Sequence, residues 1–220
     1  EIASCLVGSE MCIRDSFRAI KGEAAAVLIQ NEISRYPNNL SVFNGRGGQE
    51  IIDNFLSQED FDNIQTTLFH ERFTWSYVEK SKVSGERAQL VHMFWEPIEG
   101  HISSHSQILI PFITKIKPGA ILRIKANLQP QTEKIIKDPL HVDVGCKSTT
   151  AILYVNTCDG YTHFEDGTKV KSVANRLVIF PSQTYHGGTY CTDETKRIVI
   201  NFNYIDGKDF YTNDLNRLYK

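Results

Sequence analysis

The chain has 220 residues with 41% hydrophobic and 23% charged content, enough for one domain with a sizeable core. Its net charge of −2 gives no electrostatic reason to expect a nucleic acid or an anionic membrane as partner. No apolar run approaches the length of a membrane span.

In chain order, residues 6–16 (LVGSEMCIRDS) resemble the in-frame translation of a transposase adapter used in DNA sequencing, so residues 1–16 are read as an assembly scar from an environmental (metagenome) sequence. The apolar stretch Ala24–Ile29 is short and follows Glu23 rather than a basic flank, which argues against a signal peptide. Residues 17–36 have helical composition and end at Pro37, and Asn44–Gly48 (NGRGG) reads as a turn or linker. It lacks the Gly-Lys-Ser/Thr ending of a phosphate-binding loop.

Structure is expected to begin near Ile51, with a strand over Ile51–Ser57. Ser57 is placed to cap the next helix with Asp60 in the reciprocal position, and Phe61, Ile64, Leu68 and Phe69 follow at helical spacing. The aromatics Phe73, Trp75, Tyr77, Phe94 and Trp95 read as core or pocket wall. A second amphipathic helix is expected over 103–116, with Pro111 kinking it or marking a late start. From Ile121 the pattern changes to short β-branched runs between turn residues: 120–127, 139–144, 149–156, 161–165, 169–173, 176–180, 184–190 and 196–205. Such a series predicts a barrel or a double-sheet jelly roll, a mainly β (α+β) fold with flanking N-terminal helices. The organisation is therefore 1–16 as artefact, 17–50 as a poorly defined N-terminal segment, 51–117 as a support region, 118–206 as the core and 207–220 as a tail.

Outside the scar, Cys146, Cys158 and Cys191 are odd in number and lack CxxC spacing, which points to a reducing, cytoplasmic setting. Cys146 reads as a small buried hydrophobe, although it lies three residues from Asp143.

The chemistry concentrates in the last third. In Asp138–Cys146 (DPLHVDVGC), His141 and Asp143 are two apart, so on a strand they face the same side. His186 lies on a later strand segment, followed by Gly187 and Gly188. Two histidines and one carboxylate suit a divalent first-row metal and leave open coordination positions, the pattern of a facial iron site. Arg197 begins a strand in which Arg197, Val199, Asn201 and Asn203 share one face. A buried guanidinium there needs an anion, and its planar fork suits a carboxylate. Lys196, on the opposite face and expected to be solvent-exposed, is the second choice for that role. A rival His-x-acid pair, His163 and Glu165, also precedes His186. His70, His92, His101 and His105 lack ligand spacing and read as surface or packing residues.

The region from Ile121 to Tyr204 resembles the Fe(II)/2-oxoglutarate-dependent dioxygenases, specifically the prolyl 4-hydroxylase-like branch. The resemblance rests on Arg123–Asn127 (RIKAN), His141–Asp143 (HVD), Thr149–Asn156 (TTAILYVN), Gly160–Phe164 (GYTHF), Asn175–Gly188 (NRLVIFPSQTYHGG) and Arg197–Phe202 (RIVINF). It implies a double-stranded β-helix, Fe(II) on His141, Asp143 and His186, and Arg197 holding the distal carboxylate of 2-oxoglutarate, with Tyr154 hydrogen-bonding the co-substrate. The activity implied is O2-dependent C–H hydroxylation with release of succinate and CO2, and ascorbate as reductant. Asn127 and Arg123, on one face of the first core strand, are further pocket candidates, while Thr162 and Phe164 read equally as pocket wall or core. Leu128 stands where prolyl hydroxylases commonly have tyrosine, Arg197 where many members have lysine, and Asp159-Gly160-Tyr161-Thr162 has one glycine where relatives have two. The expected substrate is a peptidyl residue, a free amino acid or a small molecule, with no nucleic acid and no membrane as partner; oligomeric state is unread. Two other readings remain: a non-catalytic jelly-roll binding module, and a nucleic-acid demethylase using the same iron chemistry.

Overall fold

The structure is a computed structural model that describes residues 48–79, 89–96 and 101–207. The expectations for residues 1–16 and 17–36, most of the Asn44–Gly48 turn and all but the first residue of the 207–220 tail lie outside these residues.

The short strand β1 (Glu50–Ile52) covers only the start of the expected 51–57 strand. The chain then turns through Asn54, at φ 51°, and drops Phe55 and Leu56 into the core. Helix α1 (Gln58–Phe69) starts as the capping pattern predicts: Asp60 N–H donates to Ser57 Oγ at 3.2 Å, and the Ser57 hydroxyl donates to the Asp60 carboxylate at 2.7 Å. Its Phe61, Ile64 and Leu68 are buried, while Phe69 remains 37% exposed. β2 (Ser76–Val78), β3 (Gln89–Glu96) and β4 (His101–Ile102) follow. The single helix expected over 103–116 is a 3-10 turn (Ser106–Leu109) running into α2 (Ile110–Ile116). Pro111 sits in the first turn of α2, where its missing N–H costs nothing, so it marks a late start.

The remaining strands are β5 (Pro118–Pro130), β6 (Thr149–Tyr154), β7 (Tyr161–Phe164), β8 (Lys169–Lys171), β9 (Arg176–Pro181), β10 (His186–Gly187) and β11 (Lys196–Asp206). They form two antiparallel sheets: a large one in the order β1-β9-β6-β11-β5-β3-β2, with β4 on β3, and a small one, β10-β7-β8. Alternation along the central strands explains two cores rather than one. Ala151, Leu153, Leu177, Ile198, Ile200 and Phe202 face one side of the large sheet and pack in a cluster with α1 and α2. On the other side, Ile152, Tyr154, Val178 and Val199 meet Phe164 and Val170 of the small sheet. β11 is buried on both faces, lying between β5 and β6.

The segment after β1 is tied to the sheets by Arg176, which donates to the Asp53 carboxylate at 2.6 and 2.9 Å, and by an asparagine. Asn175, at φ 60°, accepts from Leu56 N–H at 2.9 Å and donates back to the Leu56 carbonyl at 2.9 Å. Asparagine tolerates this left-handed conformation better than most residues. His92 packs among Phe73, Phe94 and His105, a packing role of the kind its sequence context suggests. Among the described residues, no helix is long and apolar enough to cross a membrane.

Candidate metal centre

The ligand atoms of His141, Asp143 and His186 lie within 4.8 Å of one another, on the open side of the large sheet where it meets the small one. His186 sits on β10. His141 and Asp143 do not lie on a regular strand, contrary to the expectation for 139–144. The segment makes only an isolated bridge, in which His141 N–H donates to the His186 carbonyl at 2.9 Å and His186 N–H returns the bond at 3.0 Å. Pro139 has no N–H to extend a ladder, and β10 is only two residues long. The two-residue parity survives: Leu140 and Val142 point to solvent, while the Asp143 side chain is 4% exposed.

Each histidine is oriented by its far nitrogen. His186 Nδ1 lies 3.0 Å from the Thr184 carbonyl and His141 Nδ1 lies 3.3 Å from the Pro139 carbonyl. A carbonyl only accepts, so each Nδ1 carries the proton and each Nε2 presents its lone pair. Those Nε2 atoms stand 3.6 Å and 3.8 Å from the Asp143 carboxylate. Burial pushes the His186 imidazole below its ordinary value, so it is neutral near pH 7, the form that ligates a metal. Burial acts to raise the Asp143 carboxyl, but His186, Arg123, a hydrogen bond from Asn203 and His141 outweigh it, and the group is held below the usual carboxylate range. Arg123 Nη2 (3.3 Å), Asn203 Nδ2 (3.2 Å) and the Thr150 hydroxyl (3.2 Å) all donate to that carboxylate.

Space at the bridge is tight. A Cβ on Gly187 would meet the Asp138 carbonyl at 2.8 Å, His163 Nε2 at 2.8 Å and the Pro139 carbonyl at 3.0 Å. Two of these are backbone atoms leading into His141, so Gly187→Ala must displace the ligand segment. The expected result is a folded protein whose affinity for a divalent metal falls about 10–100-fold, the range for disturbing groups that orient ligands. Calorimetric titration with Mn(II) measures it, and an unchanged affinity would show that the segment absorbs the methyl.

Arg197, on β11, is fully enclosed at 2% exposure. Its Nε donates to Ser172 Oγ at 2.9 Å, Nη1 to Gln129 Oε1 at 2.8 Å and Nη2 to Thr162 Oγ1 at 3.3 Å. All three partners are neutral, and among the described residues no carboxylate forms an ion pair with it. Gln129 also donates to the Asp138 carboxylate at 2.6 Å, so the arginine reaches the segment carrying His141 through one amide. Burial lowers the Arg197 pKa from its ordinary value, yet a guanidinium stays charged in any protein setting. The Asp138 carboxylate acts on the guanidinium electrostatically, but the direct hydrogen-bond partners are neutral, so the fork can still take up an anion.

The cavity that holds the three ligands also holds Arg197, Asn127 and Gln129. Asn127 Oδ1 and Asn201 Oδ1 are buried there with no hydrogen-bond partner. Tyr154 is fully buried; its hydroxyl donates to Thr162 Oγ1 at 2.8 Å, and its ring lies 5.5 Å from the Arg197 guanidinium carbon. Arg123 is engaged with Asp143 and with Asn203 Oδ1 at 2.9 Å. Thr162 lines the cavity, whereas Phe164 is core, packed on Phe180 at 5.0 Å. Lys196 faces the other side of the sheet, but it is half-buried rather than exposed, with its ammonium 4.5 Å over the Phe69 ring. His163 and Glu165 join no ligand cluster among the described residues; His163 Nε2 instead lies 3.0 Å from the Asp138 carbonyl.

Sequence reading passed over Gln129 and Ser172 and gave Asn203 a place on the Arg197 face but no role. Parity offered a signal for two of them: Gln129 continues the face of Arg123 and Asn127 and lies directly opposite Arg197, and Asn203 continues the face of Arg197 and Asn201. Ser172 follows a short edge strand and carries no such signal.

No protein-family model and no curated protein matches this sequence. Solved structures do. A non-heme α-ketoglutarate-dependent carbocyclase from nogalamycin biosynthesis aligns with TM-score 0.52 and 14% identity, covering 76% of this chain and 85% of its own. A 2OG-Fe(II) oxygenase family oxidoreductase from Burkholderia pseudomallei gives 0.54 at 8% identity, covering 80% of this chain and 90% of its own. A Trichoplax adhaerens prolyl hydroxylase, in complex with a hypoxia inducible factor peptide fragment, gives 0.51 at 16% identity, covering 90% and 97%. The fold is a double-stranded β-helix. In this β-helix, the triad stands between the two sheets, with β10 on the small sheet contributing His186 and β11 on the large sheet contributing Arg197.

Proposed function

We propose that this protein is an Fe(II)- and 2-oxoglutarate-dependent oxygenase that hydroxylates an unactivated C–H bond of a peptidyl residue, a free amino acid or a small molecule. One observation carries the reading: a single cavity holds a His-Asp-His triad and a buried guanidinium whose hydrogen bonds, among the described residues, all go to neutral side chains. The donor set fits iron, since two neutral imidazoles and one carboxylate leave coordination positions for a co-substrate and O2. His141 and His186 would bind through Nε2 and Asp143 through its carboxylate. Arg197 would hold the distal carboxylate of 2-oxoglutarate, helped by the hydroxyl of Thr162. When bound, iron and 2-oxoglutarate supply the oxidising chemistry, in which O2 is consumed, the co-substrate is decarboxylated to succinate and CO2, and a C–H bond is hydroxylated.

The chain's own residues position and protect. Gln129 and Ser172 fix the arginine fork, Arg123 and Asn203 fix the Asp143 carboxylate, and Phe180, 4.7 Å from the His186 ring, shields that ligand from water. Tyr154 bears on the co-substrate through Thr162, to which it donates. Asn127 and Asn201 offer acceptors to the substrate side of the cavity. A cytoplasmic setting, with ascorbate as added reductant, suits the free thiols of Cys146, Cys158 and Cys191.

The test is succinate formation from 2-oxoglutarate with Fe(II), O2 and ascorbate, screened over peptides, amino acids and small metabolites. Succinate in step with a hydroxylated product is expected from one substrate class. Iron binding with no decarboxylation under any condition would replace this reading with that of a binding module.

A further inference from the structure

Cys158 and Cys191 take no part in the metal centre, yet the fold brings them together. Cys158 lies between β6 and β7 and Cys191 between β10 and β11; they are 7% and 0% exposed. Asp193 joins them from the surface, and the two sulfurs and one of its carboxylate oxygens lie within 4.8 Å of one another. A tetrahedral zinc with Zn–S of about 2.3 Å places neighbouring sulfurs roughly 3.8 Å apart, so only small adjustments separate this arrangement from coordination.

The two segments are held by their backbones as well as by their side chains. Cys158 N–H donates to the Ser172 carbonyl at 3.2 Å, and the Cys191 carbonyl accepts from Thr132 N–H at 2.9 Å. Asp159 N–H donates to Asp193 Oδ1 at 2.9 Å, while Thr192 donates to the Asp159 carboxylate through its N–H at 2.8 Å and through its hydroxyl. The donors are therefore presented on a clipped pair of loops, with the Asp193 carboxylate beside the two thiols. Burial, with Cys158 adding to it, pushes the Cys191 thiol up to about 12. A divalent cation removes that penalty by binding the thiolates directly.

We infer that Cys158, Cys191 and Asp193 form a second metal site, separate from the His-Asp-His centre, that takes a thiophilic divalent ion, zinc foremost, with its fourth position open to water. Soft thiolates with one carboxylate favour zinc over magnesium or calcium. Binding breaks two S–H bonds, forms two metal–sulfur bonds and releases two protons, with no electron transferred. The ion would staple the two loops behind Arg197. Gly160, two residues after Cys158, already packs so closely there that a Cβ would meet Arg197 Cδ at 2.7 Å.

Cobalt(II) is the probe. The metal-free full chain is titrated with Co(II) under reducing conditions, and thiolate-to-cobalt charge transfer is read in the near ultraviolet. The His-Asp-His centre has no sulfur and gives no such band. The expected result is a band that saturates at one Co(II) per chain, persists in His141→Ala and in Cys146→Ser, is displaced by Zn(II) and vanishes in Cys158→Ser and Cys191→Ser. X-ray absorption of the zinc-loaded His141→Ala protein provides a reading that needs no cysteine variant, with sulfur scatterers expected at about 2.3 Å. Absence of the band, its survival in Cys158→Ser, or pairing of the two thiols as a disulfide in the metal-free chain would each overturn the site.

Discussion

Arg197→Met is expected to leave a folded protein that has lost its hold on 2-oxoglutarate. The guanidinium is buried with neutral partners, and the co-substrate carboxylate is its proposed counter-ion. Removing one side of such a pair costs about 2–5 kcal/mol, or roughly 30- to 5,000-fold in affinity. The KM for 2-oxoglutarate, followed by succinate release, should rise over that range. A second readout needs no turnover: with Mn(II) bound, co-substrate at 100 times the wild-type Kd stabilises the wild-type protein by about 2.7 kcal/mol, and the same concentration should stabilise the variant by no more than about 0.9 kcal/mol. Lys196→Met is the control, because that side chain lies across the sheet on Phe69. A normal KM in Arg197→Met, or a raised one only in Lys196→Met, would remove Arg197 from the anchoring role.

Asp143→Asn is expected to cost still more at the metal. The amide keeps the shape of the side chain and can still accept from Arg123, so the local packing survives. What disappears is the one anionic donor, and with it the charge that balances a divalent ion. Groups that merely orient ligands are worth about 10–100-fold in metal affinity, so loss of the ligand itself should exceed the upper end of that range. Mn(II) titration measures the affinity and succinate assays should fall to background. Wild-type metal affinity in this variant would mean that the ion sits elsewhere.

Much of the β-rich region could be read from short β-branched runs between turn residues. β5, β6, β9 and β11 lie where β-branched runs predict them; β6, β9 and β11 are buried on both faces, so short continuous apolar runs between turn residues mark them. Parity along β11 put Arg197 inside and Lys196 on the other face. It had less purchase on the 139–144 segment, where Pro139 and a two-residue partner leave a bridge instead of a ladder. The early strand failed for a different reason: Phe55 and Leu56 look like a strand continuing from Ile52, but the Asn175 clamp, more than a hundred residues later, turns them into the core. No local pattern contains that contact. The same holds for Ser172 beside Arg197 and for the meeting of Cys158 with Cys191, each of which depends on how the two sheets are stacked.

The position of β11 has a consequence for how the chain is made. This strand, the last of the described ones, lies in the middle of the large sheet, paired on one side with β5 and on the other with β6. A ribosome releases β5 and β6 first, so during synthesis both wait with open edges and unpaired backbone groups. Until β11 emerges, the nascent chain has neither a closed sheet nor an arginine in the cavity. Closure by a central strand arriving late is a high-contact-order step, and the exposed interval before it is when edge-to-edge association competes with folding.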